Sequence, residues 1–140
     1  MNDKYNLKRF IDAHEKYYIK ALNEIKNGRK LSHWMWYIFP QLSCLGCSTT
    51  AKYYGIKNKE EAQAFLNNNI LKNHLIEISE ELYKQDNDIN YIFGYPDNLK
   101  LKSCMTLFNY VNPKIDIFGK ILNKFYNGEK DQITINRLNI

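Results

Sequence analysis

Apolar residues at Leu7, Phe10, Ile11, Tyr17, Tyr18, Ala21, Leu22 and Ile25 recur at helical spacing, which predicts one stripe of a helix that Gly28 then stops. His14 falls on the same stripe and is read as facing the core, either as a satisfied core histidine or as a site residue. The next stretch, Ser32-His33-Trp34-Met35-Trp36-Tyr37-Ile38-Phe39-Pro40-Gln41, holds both tryptophans. It must end at Pro40, which has no amide hydrogen and biases Phe39 away from helix. Residues 41 to 49 then read as a loop, with Ser48 placed to cap a short helix that Gly55 stops.

Asn58 and Glu61 have the spacing of a capping box and open a helix through Leu66. Asn67-Asn68-Asn69 breaks it, and Leu71, Leu75, Ile78 and Leu82 restore helical spacing over about 70 to 84. A short helical turn follows at Ile89 to Phe93, ended by Gly94. Asp97 reads as the N-cap of a helix carrying Leu101, Cys104, Met105, Phe108 and Val111. Pro113 is placed to open the last long helix, whose Phe118, Ile121, Leu122 and Phe125 form a stripe terminated by Gly128, and Asp131 to cap a final short one. Alternation of period two appears only weakly, at residues 132 to 135. The pattern therefore predicts an all-α fold, a compact single-domain bundle of about six to eight helices over residues 1–140.

Composition agrees: 140 residues with 44% hydrophobic and 25% charged side chains suit one globular core. No run approaches the roughly 18 to 20 apolar residues of a membrane span, and Met1 to Tyr5 lacks the apolar segment of a signal peptide. Three cysteines without framework spacing fit a reducing compartment, so the expectation is a cytoplasmic protein that does not enter membranes. A net charge of +5 invites a nucleic-acid reading. Only Arg9, Arg29 and Arg137 are arginine, however, and the lysines are spread along the whole chain, which argues against it.

Catalytic signatures are sparse. There is no phosphate-binding glycine loop, no nucleophile elbow and no His-Glu-x-x-His. Cys44-x-x-Cys47 could be half of a zinc site, completed by Cys104 and one of His14, His33 or His74, but without a second pair it reads as two small loop residues. Two blocks carry more chemistry. In the aromatic segment, His33 supplies an imidazole, the side-chain type suited to proton transfer, Gln41 offers a neutral donor and acceptor, and Trp34 and Trp36, separated by one residue, cannot point the same way. In the second block, Asp97, Lys100, Lys102, Ser103 and Thr106 surround the start of a helix, where unpaired amides and the dipole favour an anion. Lys100 and Ser103 share one side of that helix and Lys102 and Thr106 another, so at most one pair faces a given cleft.

These blocks, with Leu45-Gly46-x-Ser48, Ala51, Tyr54-Gly55-Ile56, Ile92-Phe93-Gly94, Met105 to Phe108 and Gly128-x-x-Asp131, resemble a family of small, all-helical bacterial proteins catalogued as a domain of unknown function and often labelled calpastatin. Calpastatin inhibitors are disordered, whereas this chain has the pattern of a core. Cys44 and Cys47 stand where the family usually has small or basic residues, which argues against a shared zinc site.

The resemblance implies a common pocket with aromatic walls and a few polar groups, and helical domains acting on ADP-ribose conjugates are the nearest functional analogy. The expected function is binding, with hydrolysis as an extension, of a nucleotide or ADP-ribose-like molecule. Trp34 or Trp36 would stack the base, Gln41, Ser48, Lys100 and Ser103 would hold the ligand, and His33 or Asp97 would move a proton. No metal and no particular cofactor is implied. The alternative is a non-catalytic module that docks a protein partner through its aromatic segment.

Overall fold

Every turn signal in the sequence separates helices, and the chain folds accordingly. The structure, a computed structural model, describes residues 3–139. Among these are α1 (Lys8–Lys26), α2 (Met35–Ile38), a 3-10 turn at Ser43–Leu45, α3 (Thr49–Tyr54), α4 (Lys59–Asn67), α5 (Asn69–Tyr83), α6 (Ile89–Phe93), α7 (Asp97–Val111), α8 (Asp116–Tyr126) and α9 (Gln132–Leu138). The fold is all-α, and α2 and α6 are single turns. Extended pairing among the described residues is limited to an isolated bridge between Leu42 and Ile56. No helix described is long and apolar enough to cross a membrane.

Side-chain caps form where short polar residues precede helices: Ser48 accepts from the Ala51 amide, Asn58 from Glu61, Asn68 from Leu71 and Asp131 from Thr134. Asp131 thereby starts a helix over the stretch whose weak alternation hinted at a strand. Two boundaries differ from expectation. Asp97 is the first residue of α7 rather than its cap, because Pro96 occupies the cap position and the Asp97 carboxylate is drawn into ion pairs. Helix α8 begins at Asp116 after a turn that holds Pro113, so the proline ends one helix without opening the next.

Helix α7 is the centre of the bundle, in contact with α4, α6, α8 and α9. Leu101 and every residue from Ser103 to Phe108 are buried, as a helix packed on all sides requires. Edge and tilted aromatic contacts run through the core from Phe10 to Phe65, Phe108 and Phe118, linking α1, α4, α7 and α8. Tyr17 departs from the predicted stripe: it is 45% exposed at the edge of α1 and leans on Tyr37.

His14 is a core histidine with a definable tautomer. Its Nε2 lies 2.8 Å from the Tyr37 carbonyl and must donate; its Nδ1, 2.9 Å from Nδ1 of His74, must then accept a proton carried by His74. Both rings are thus neutral. Burial pushes the His14 pKa down to about 4, against the opposing bond to Tyr37 and with help from His74, and burial lowers His74 also. Since the unfolded histidine titrates near 6.5, the unfolded chain binds the proton more strongly. Stability is complete above about pH 6.5 and falls as pH drops toward 4, by on the order of 3 kcal/mol for His14. Urea unfolding between about pH 7.5 and pH 4.5 should show this slope and a flatter one in His14→Asn; equal slopes would contradict the assignment.

Candidate functional site

The aromatic segment is fixed from beneath by Glu24, a carboxylate on the core side of α1. It accepts from the amides of Leu31 (2.7 Å) and Ser32 (2.9 Å), the Ser32 hydroxyl (2.6 Å) and Trp34 Nε1 (2.9 Å). Burial alone would raise the Glu24 pKa; these donors outweigh it and hold the carboxyl below its usual range. Trp34 is 1% exposed and packs against Phe39 and Phe93, while Tyr37 and Phe39 are also buried. Trp34 therefore cannot stack a ligand base, and the segment offers no row of exposed anchors to a protein partner. His33 is exposed but lines a separate hollow with Tyr17, Lys20 and Leu31. It takes no part in the site below, because the turn held by Glu24 carries it to a different wall.

Gln41, Ser48, Lys100 and Ser103 converge, whereas Trp36 and Asp97 lie beside them. A cleft of about 370 Å³ has one wall from the 41–48 loop, with Gln41, Leu45, Gly46, Cys47 and Ser48, and Ala51 of α3 beside it. The start of α7 supplies the opposite wall through Pro96, Leu99, Lys100 and Ser103, and Asp131 and Ile133 close one end. Lys100 and Ser103 are the pair that faces the cleft; Lys102 turns away to Glu129 and the Tyr126 ring. Ser103 is nearly buried and donates to the Leu99 carbonyl, which leaves its oxygen free to accept. The Ser48 oxygen caps α3, which leaves its hydrogen free to donate.

Lys100 is the hinge of the arrangement. Its ammonium lies 5.6 Å from the Trp36 ring centroid and 3.4 Å from Asp97. Asp97 is held at 2.8 Å by Lys30, whose side chain is only 8% exposed and whose ammonium also sits over Trp34. Two cations thus share one carboxylate, and the surplus positive charge sits on Lys100 at the cleft. Trp36 lines a neighbouring space of about 10 Å³, room for a water but not for a base, so it backs Lys100 rather than presenting a stacking slot. Asp97 likewise positions Lys100.

Sequence reasoning missed Lys30, Glu24 and Asp131. Lys30 and Glu24 belong to no motif that marks them, and Asp131 signals a helix cap and part of the Gly128-x-x-Asp131 motif but no cleft; it keeps the cap role through the Thr134 amide. Cys104 is fully buried in α7, where burial raises its pKa, while Cys44 and Cys47 are exposed free thiols. Among the described residues no group of three or more His, Cys, Asp or Glu side chains is arranged to hold a metal.

Fold and cleft together define a small all-helical domain with a lysine-bearing cleft. The chain belongs to the family described as protein of unknown function DUF1810, whose model matches residues 4–138. It is similar to a conserved hypothetical protein, Rv1873 from Mycobacterium tuberculosis, known from its crystal structure: identity is 41%, 99% of each chain is covered and the TM-score is 0.97. No curated protein matches the chain.

Proposed function

We propose that the cleft binds a nucleotide- or ADP-ribose-like small molecule. The observation that carries this reading is Lys100, a cation held between Trp36 and Asp97 at the junction of the cleft and the Trp36 space. An anionic group pairs with Lys100, Gln41, Ser48 and Ser103 supply hydrogen bonds, and a ring lies on the apolar surface of Leu45, Leu99 and Ile133. A volume of about 370 Å³ is at the small end of the roughly 300 to 1,000 Å³ of ligand sites, which favours a mononucleotide over a dinucleotide. Binding rather than turnover is the function supported. Asp97 is tied to two lysines, Asp131 is engaged as a cap, and His33 lies outside the cleft.

Calorimetric titration with AMP, ADP-ribose and NAD tests the reading. Saturable binding is expected, strongest for AMP and weaker for the larger ADP-ribose and NAD. Lys100→Ala should weaken it at least about tenfold, equivalent to about 1.4 kcal/mol. Trp36→Leu, which removes the ring beneath the ammonium, should weaken it less. Absence of binding, or equal affinity in Lys100→Ala, would refute the proposal. Chromatography of the same ligands after incubation decides the hydrolytic extension: product formed by the wild type and lost in Asp97→Asn would add it.

A further inference from the structure

We infer that the protein has a second binding site, separate from the Lys100 cleft, for a small phosphate-bearing ligand. A second cavity, also about 370 Å³, opens between the 42–44 turn, the start of α4 and the end of α9. Lys57, Lys59 and Arg137 line it, drawn together from positions about eighty residues apart in the chain. Glu60 is the single carboxylate among its lining residues. Among the described residues none of the three cations takes part in an ion pair. The floor is apolar, made by Leu42 and Leu138, both nearly inaccessible to water. Like charges gathered over a low-dielectric floor focus a positive field into the cavity.

The identity of the cations points to phosphate. Of the three arginines, Arg9 is buried in an ion pair with Glu61 and Arg29 lies over the Tyr91 ring. Arg137 is the one left exposed in a cavity with its planar guanidinium available for two-point contact with an oxyanion. Three cations against Glu60 leave a surplus of two positive charges, which a phosphate monoester dianion matches and a monocarboxylate does not. The first-turn amides of α4, at Lys59 and Glu60, add their unpaired N–H groups on the same side.

The two cavities share walls but no lining residue. Leu42 to Cys44 face this one and Leu45 to Ser48 the other; on α9 and its cap, Arg137 and Leu138 belong here and Asp131 and Ile133 there. Occupancy of the second site is therefore distinguishable from, and does not depend on, the proposed function of the first.

Titrating inorganic pyrophosphate into the ¹⁵N-labelled full chain at constant ionic strength tests the inference, constant salt removing general screening. Saturable amide shifts are expected at residues 43–44, 57–60 and 137–138. The double variant Lys59→Ala/Arg137→Ala should weaken the binding read at these residues at least tenfold, while any separate shifts at residues 45–48 and 99–103 report the other cleft. Both altered side chains are exposed, and the spectrum itself reports whether each variant is folded. Shifts at residues 43–44, 57–60 and 137–138 that are absent, that fail to saturate or that persist in the double variant would overturn it.

Discussion

Glu61→Ala is expected to lower folding stability by on the order of 4 kcal/mol, the range for stripping one partner from a buried ion pair. Its carboxylate lies 2.6 Å from the Arg9 guanidinium, and the two side chains are 1% and 5% exposed. The second carboxylate oxygen accepts the Lys57 amide at 3.2 Å. Arg9 also donates to the carbonyls of Tyr5, Asn6, Tyr53 and Gly55, so one guanidinium ties the start of α1 to the end of α3. Removing Glu61 strands a positive charge where water cannot reach it. Thermal unfolding should fall by on the order of 10 °C. Glu61→Gln, which keeps an oxygen for the guanidinium, should lose less than Glu61→Ala. If Glu61→Ala unfolds within a degree or two of the wild type, the pair is not a buried, water-excluded one.

Gly55→Ala should be nearly as damaging, at about 3 kcal/mol, the upper part of the range for overpacking. The backbone there, at φ −61° and ψ 138°, suits any residue, so the penalty is purely one of space. A Cβ at Gly55 would stand 2.4 Å from both Cα and Cβ of Ser43 and 2.9 Å from the Ala51 carbonyl oxygen. Backbone atoms cannot rotate out of the way. The contact lies at the Ile56 pairing, where the Ser43 amide donates to the Ile56 carbonyl and the Ile56 amide to the Gln41 carbonyl. Because the 41–48 loop is a wall of the cleft, the variant should lose nucleotide binding as well as stability.

Gly46→Ala provides the control. Its Cβ would meet the Ala51 Cβ at 2.4 Å, a clash that Ala51→Gly removes, so the double variant should recover stability that Gly46→Ala alone loses. Melting of Gly55→Ala close to the wild type, or failure of the Gly46 rescue, would show that the loop yields more easily than these contacts allow.

Much of the helical layout was legible because its signals are local. Asn58, Asn68 and Asp131 cap the helices that follow them, and Gly28, Gly94 and Gly128 all take positive φ just beyond helix ends. Asn58 and Glu61 form only half a capping box. The Glu61 side chain reaches the Lys57 amide and Arg9 instead, a choice settled by a residue 52 positions away. Of the site candidates, Gln41, Ser48, Lys100 and Ser103 line one cleft, while Trp34 and His33 do not. Side-chain type alone could not separate the two tryptophans. Only Glu24, ten residues before Trp34 and hydrogen-bonded to its indole, decides which one is core.

By itself the sequence determined the all-α class, most helix ends though not the starts of α7 and α8, the break at Pro40 and the placing of Lys100 and Ser103 on one side of a helix, since each follows from spacings of a few residues. The tertiary structure decided what distance along the chain conceals. It buried Arg9 against Glu61, set Lys30 against Asp97, brought Gly55 onto the backbone of Ser43, and gathered Lys57, Lys59 and Arg137 around a second cavity. A lysine or glutamate in a polar stretch reads the same whether solvated or paired. Its energy depends on the dielectric and on partners that packing alone supplies.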